Sequence, residues 1–126
     1  KIIKTDKAPK AIGPYSQAVQ ICKLIFVSGH LPSDPKTGEI VIGGIAAQTR
    51  QVLENIKNVL AAAGASMANV VKATVFLSDL ENFAEMNKVY AEYFTDNFPS
   101  RSTIQVSRLL KDVLVEIEVI AYSFNE

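Results

Sequence analysis

The sequence predicts an α+β fold, a mostly antiparallel sheet with two helices packed on one of its faces. Three observations carry this. Short β-branched and aromatic segments occur in groups, two longer segments repeat their apolar residues at helical spacing, and Gly and Pro stand as punctuation between them. Strands gathered around two helices argue for an α+β sheet rather than a regular alternation. A chain of 126 residues buries roughly two-thirds of its unfolded surface, so one domain spanning 1–126 is expected.

Each element has its own signal. Residues 17–21 and 24–28 have the composition of short strands, and Asp34-Pro35-Lys36-Thr37-Gly38 has the chemistry of a tight turn before a third extended stretch, 39–42. Together they predict an amino-terminal β meander. From Ile45, the residues Val52, Leu53, Ile56, Val59, Leu60 and Ala63 recur at helical spacing, and Gly64 follows where a left-handed cap is wanted. Residues 70–77 form the next strand. Asp79 can cap a second helix that carries Leu80, Phe83, Met86, Tyr90 and Phe94 and is stopped by Pro99. Strands over 101–108 and 114–124 close the chain, and a hairpin between them would lay Arg101, Thr103, Gln105 and Ser107 beside Glu116 and Glu118. In the last strand Val115, Ile117, Val119 and Ala121 share one side. Glu116, Glu118, Ile120, Tyr122 and Phe124 share the other, a mixed face that expects another subunit as its cover.

Composition excludes several functions. Thirteen basic and thirteen acidic residues cancel, so the overall footprint of a nucleic-acid binder is missing. Apolar runs such as 113–115 and 119–121 are broken by Glu116 and Glu118, far short of the ~20 residues a membrane span needs. The opening Lys-Ile-Ile-Lys has no secretory signal character, so a cytoplasmic location is expected. One cysteine, Cys22, and one histidine, His30, cannot assemble an intrachain disulfide or a His/Cys zinc site. Cys22 reads as a small buried apolar residue, and His30 as the maker of a structural hydrogen bond.

A guanidinium, hydroxyls and carboxylates on one sheet surface can be a catalytic cleft. By spacing alone they are more readily a solvated face with a cross-strand Arg–Glu pair. The wording of the sequence separates these. Ala11-Ile12-Gly13-Pro14-Tyr15-Ser16-Gln17-Ala18, Val27-Ser28-Gly29, Gln48 to Asn55, Val71 to Val75, Met86 to Tyr90, Pro99 to Ile104 and Val115-Glu116-Ile117 resemble, in order and over essentially the whole chain, the Rid family of reactive intermediate deaminases (YjgF-type).

The resemblance implies a homotrimer of chorismate-mutase-like subunits with active sites between neighbours, hydrolysing 2-imino acids such as 2-iminobutanoate and 2-iminopropanoate to 2-oxo acids and ammonia without cofactor. It implies that Arg101 binds the substrate carboxylate and that Glu116 activates water. It also implies that Tyr15 closes over the substrate from a neighbour, unless it is only an apolar ring with a satisfied hydroxyl, and that Ser28 and Gly29 line the cleft. Asn87 lies near the site, as a substrate contact or as an amide tying helix to loop. Thr103 stands where many members carry a cysteine, so no thiol nucleophile is present; its hydroxyl can hold water or substrate. Leu110 replaces a frequent proline. Two other readings use the same residues. One is a regulatory module that senses 2-oxo acids without turnover, which would tolerate Glu116→Gln. The other is a ribonuclease or translation inhibitor, an activity attached to parts of this family that neutral charge and a single histidine fit poorly. No nucleic acid and no membrane are expected as partners.

Overall fold

The computed structural model describes residues 1–124. In chain order its elements are β1 (Ile2–Ile3), β2 (Ala18–Ile21), β3 (Leu24–His30), α1 (Ile45–Ala62), β4 (Val70–Leu77), α2 (Phe83–Tyr93), β5 (Ser100–Gln105) and β6 (Val115–Tyr122). The six strands form one sheet in the order β1-β2-β3-β6-β4-β5, and every pairing is antiparallel except β4 with β5. Val52, Leu53, Ile56, Val59 and Leu60 of α1 and Met86 of α2 are fully buried against Ile25, Ala73, Val75, Leu77, Val115, Ile117 and Ala121 of the sheet. Both helices therefore cover one face, and this layer is the core. The last turn of α1 closes as expected: Gly64 has φ +76°, and the amide of Ala65 reaches back to the Leu60 carbonyl at 2.9 Å.

The expected hairpin between the last two strands does not form. β5 instead lies parallel to β4 at the edge of the sheet, with Ala73 opposite Arg101 and Val75 opposite Thr103, while β6 inserts between β3 and β4. The physical reason lies in burial. β6 has a fully apolar face that demands neighbours on both sides, whereas Ser100–Gln105 has no fully buried residue and suits an edge. Helix α2 then serves as the crossover between parallel strands.

Residues 39–42 add no strand to the sheet. Ile40 makes an isolated bridge to Ser33, and the Val41 amide donates to the Pro32 carbonyl at 3.0 Å, so the stretch folds back on its own loop. Asp79 caps as predicted, accepting from the Glu81 amide at 2.9 Å, but it caps a short 3₁₀ turn, Leu80–Asn82, from which α2 continues. That helix ends at Tyr93, before Pro99. Among the described residues no helix is long and apolar enough to cross a membrane.

The second face of the sheet is open. Leu24 pairs with Tyr122, Phe26 with Ile120, Thr74 with Glu118 and Phe76 with Glu116, so these side chains share one surface. Leu24, Phe26 and Tyr122 are each about 40% exposed there, a large apolar area for a sheet face left to water.

Candidate functional site

Arg101 stands on the helix side of β5, because its register partner Ala73 is a core residue. It meets α2. The Nη1 of Arg101 donates to Asn87 Oδ1 at 2.7 Å, and its Cζ lies 4.6 Å from the Tyr90 ring centroid and 5.6 Å from that of Phe83. A guanidinium stacked on aromatic faces and fixed by one amide is held in place, with the rest of its fork unused. It has no carboxylate partner among the described residues. A cavity of about 410 Å³ opens over it, lined by Asn87, Tyr90, Phe94, Phe98 and Arg101. Burial pushes the Tyr90 hydroxyl up in pKa, with the charge of Arg101 pulling the other way. Two residues along β5, Thr103 Oγ1 is buried without a hydrogen-bond partner. It lies on the same side of the strand as Arg101, with hydrogen-bonding capacity to spare.

Glu116 lies elsewhere. It is opposite Phe76 on the open face, whereas Arg101 is on the helix face, so the two cannot meet within one chain. This corrects the expectation that the polar side of Arg101's strand lies beside Glu116 and Glu118; the parallel pairing of β5 with β4 turns Arg101 and Thr103 toward α2. Half-burial raises the Glu116 pKa above its ordinary value, and the nearby Glu118 charge raises it further. Gly29 is the neighbour of that carboxylate. A β-carbon at Gly29 would overlap Glu116 Oε2 and stand 3.0 Å from its Cδ, so only glycine lets this carboxylate pack against β3. Ser28 is tied: its Oγ donates to the Ser16 carbonyl at 2.6 Å, which holds the Gly13-Pro14-Tyr15-Ser16 turn against β3. Tyr15 is half exposed, and its hydroxyl accepts from the Ile12 amide at 3.2 Å. Tyr15 and Gly29 both line a second cavity of about 290 Å³.

The sequence-predicted residues thus form two half-sites, Arg101 with Asn87 and Thr103 at one end of the molecule and Glu116 with Gly29, Ser28 and Tyr15 on another surface. The stacking of Phe83 and Tyr90 beneath Arg101 was not anticipated, although residues 83, 87, 90 and 94 share one helix stripe, which was the available signal. His30 is buried as expected of a structural residue and hydrogen-bonds the Gln17 backbone, but its Nε2 has no partner among the described residues; burial lowers its pKa to about 4. Cys22 departs from its reading: it is exposed, in the turn between β2 and β3, with φ 53°. Two strands meeting in so tight a turn force a left-handed residue to the surface. Among the described residues no group of three His, Cys, Asp or Glu side chains is placed to hold a metal ion.

The chain is similar to known proteins over nearly its whole length. The family model described as Endoribonuclease L-PSP matches residues 5–123. A RutC family protein of Pyrococcus horikoshii is 59% identical over 122 residues, covering 97% of this chain and 97% of that protein. The 2-iminobutanoate/2-iminopropanoate deaminase of Homo sapiens is 46% identical over 121 residues, covering 96% of this chain and 88% of that protein. The crystal structure of RidA from an Antarctic Psychrobacter superposes with a TM-score of 0.94 at 46% identity, covering 97% of this chain and 98% of that one. With the motif segments in order, the sheet and helices superposed and the match running nearly from end to end, this chain belongs to the Rid (YjgF-type) family, the family that also bears the name Endoribonuclease L-PSP.

Proposed function

We propose that this protein hydrolyses reactive 2-imino acids, such as 2-iminobutanoate and 2-iminopropanoate, to 2-oxo acids and ammonia, in clefts formed between the subunits of a homotrimer. The observation that carries the reading is Arg101: a guanidinium clamped by Asn87, Tyr90 and Phe83, facing a cavity, with most of its fork unpaired. That is a receptor for a planar carboxylate. Relatives named 2-iminobutanoate/2-iminopropanoate deaminase support the choice of substrate class.

The two half-sites face different sides of one sheet, so a complete cleft needs Arg101 of one copy and Glu116 of a neighbour. Such a pairing is head-to-tail, and it closes into a ring when the rotation between copies is right; three copies are what the family resemblance implies. In the cleft, Arg101 holds the substrate carboxylate and Glu116 takes a proton from water as the water oxygen bonds to C2. The electron pair of the C=N bond moves to nitrogen. Glu116 returns that proton to the carbinolamine nitrogen, the C–N bond breaks as ammonia leaves, and the hydroxyl proton is released to solvent as the C=O bond of the 2-oxo acid forms. A carboxylate whose pKa is raised by burial is a better base near neutral pH, and it stabilises the cationic iminium while ionised. Such imines already react slowly with water, so positioning and one base suffice.

The test generates imine with an amino-acid oxidase or threonine dehydratase and follows its loss. Wild type accelerates hydrolysis. Arg101→Ala weakens substrate binding on the order of a hundredfold, from the loss of a bidentate charge-assisted pair. Glu116→Gln keeps 2-oxo acid binding and loses turnover. Wild type matching the uncatalysed rate while binding 2-oxo acids instead assigns a sensor.

The family model's name favours a second reading, RNA cleavage. The neutral net charge and the sole histidine, buried and uncharged at neutral pH, leave that reading without the usual electrostatic attraction or acid–base group. RNA cleavage that survives repurification and is lost in Arg101→Ala would support it.

A further inference from the structure

Glu116 and Glu118 stand two residues apart on β6, so both side chains leave the strand on its open face. Two residues of extended strand advance about 7 Å, which is inside the ~10 Å range of charges in dilute salt. Glu116 is not free to turn away. Its carboxylate packs where a β-carbon of Gly29 would lie, so β3 holds it in place. Glu118 is exposed beyond it, opposite Thr74. Among the described residues neither carboxylate has an ion-pair partner.

The other charged groups do not offset this pairing of like charges. Across β4 Glu116 meets Phe76, which is uncharged. Lys72 shares the open face, but it stands opposite Ile120, four residues from Glu116 along β6 and about twice as far away as Glu118. Coulomb attraction at that distance is at most half the repulsion from Glu118, and screening reduces it further. Tyr15, Lys10, Lys36 and Lys111 line the cavity that Gly29 borders. Arg101 and His30 of the same chain turn to the helix side of the sheet, opposite Ala73 and Ile117. Accordingly, burial and then Glu118 raise the proton affinity of Glu116, and no cation of the chain lowers it.

A stronger base takes a proton from water more readily, provided that it is ionised at the working pH. Burial gives Glu116 part of that strength, and a second carboxylate on the same face adds to it.

We propose that Glu118 is a positioning residue for imine hydrolysis: its negative charge, on the same face of β6 as Glu116, strengthens Glu116 as the base that takes the proton from water. Glu118 itself touches neither substrate nor the attacking water. The proposal rests on the hydrolase reading of Glu116. Assembly over the open face would exclude water from around the two carboxylates and strengthen their coupling.

The full chain is assayed across a pH series as wild type, Glu118→Gln and Glu118→Asp, with imine supplied by an excess of amino-acid oxidase at each pH. Glu118→Gln keeps the size of the side chain and removes its charge. It is expected to lower kcat a few-fold at neutral pH and to move the acidic limb of the profile to lower pH, so that the variant overtakes wild type in acid. Glu118→Asp is expected to restore the wild-type limb. A weaker base loses less to protonation, so the crossing is the signature of charge coupling; damage to packing or assembly lowers the rate at every pH alike. In parallel, the Glu116 carboxyl carbon is followed by NMR in protein carrying isotope-labelled glutamate, identified by its absence in Glu116→Gln. It is expected to titrate at lower pH in Glu118→Gln than in wild type. Titration at the same pH in both, or a rate profile lowered uniformly with its limb unmoved, overturns the role of Glu118 alone. A titration that moves while wild type leaves every imine at its uncatalysed rate overturns the hydrolase reading, and the catalytic role of Glu118 with it.

Discussion

At the scale of single residues, the protein places its chemistry where burial sets the terms. Arg101 is useful because Asn87 and two aromatic rings hold it while leaving donors unpaired. Gly29 matters because its missing side chain gives room to Glu116. His30 bears on stability. Its folded pKa is depressed from 6.5 to about 4, so between those values the unfolded chain binds the proton that the folded chain refuses. Stability contributed by the neutral imidazole is complete above about pH 6.5 and is lost as pH falls toward 4, a change of roughly 3 kcal/mol. Urea unfolding at fixed protein concentration is expected to show this slope, and His30→Gln to flatten it. A wild-type curve that is flat across that range, apart from carboxylate effects shared with the variant, counts against it.

At the scale of elements, the helices and the central strands follow their sequence patterns, while the exceptions have local causes. Helix α1 begins at Gly44, which has ordinary extended backbone at φ −90° and ψ −155°, no side-chain cap, and no acidic residue in the following turn. A β-carbon there meets nothing within 4 Å. Gly44→Asp is therefore expected to stabilise the protein by about 0.5 to 1 kcal/mol, through a capping hydrogen bond and the helix dipole. The urea midpoint should rise at unchanged slope; a lowered midpoint would show that the N-terminal turn has another constraint. Helix α1 was legible from periodicity and β4 from its β-branched and aromatic residues, while β6 is shorter than the 114–124 expected, spanning Val115–Tyr122. Strand β5 was legible as a strand but not in its pairing, since a segment with no fully buried residue has no hydrophobic register of its own.

At the scale of the whole molecule, the decisive feature is that one sheet separates the two halves of the proposed cleft. The open face carries Leu24, Phe26, Ile120 and Tyr122 beside Glu116 and Glu118, and assembly would cover it. Phe26→Glu places a charge in that surface without touching the helix-side core. It is expected to yield a folded monomer by sedimentation and circular dichroism, with imine hydrolysis lost because no neighbour completes the site. A wild type that is itself monomeric, or a monomeric variant that retains the proposed activity, would show that the cleft is not shared.

Local pattern determined what is local: two helices, the central strands, the mixed face of the last strand and, through the wording of several segments, the family and its candidate residues. Periodicity can do this because burial of a face repeats along one element. The tertiary structure alone decided that β5 joins β4 in parallel, that Arg101 and Glu116 turn to opposite faces, that Ser28 is spent on the Ser16 carbonyl and that the Glu116 carboxylate packs against Gly29. Those facts depend on which residues distant in sequence become neighbours, and strand order and loop closure decide that only once the whole chain has packed.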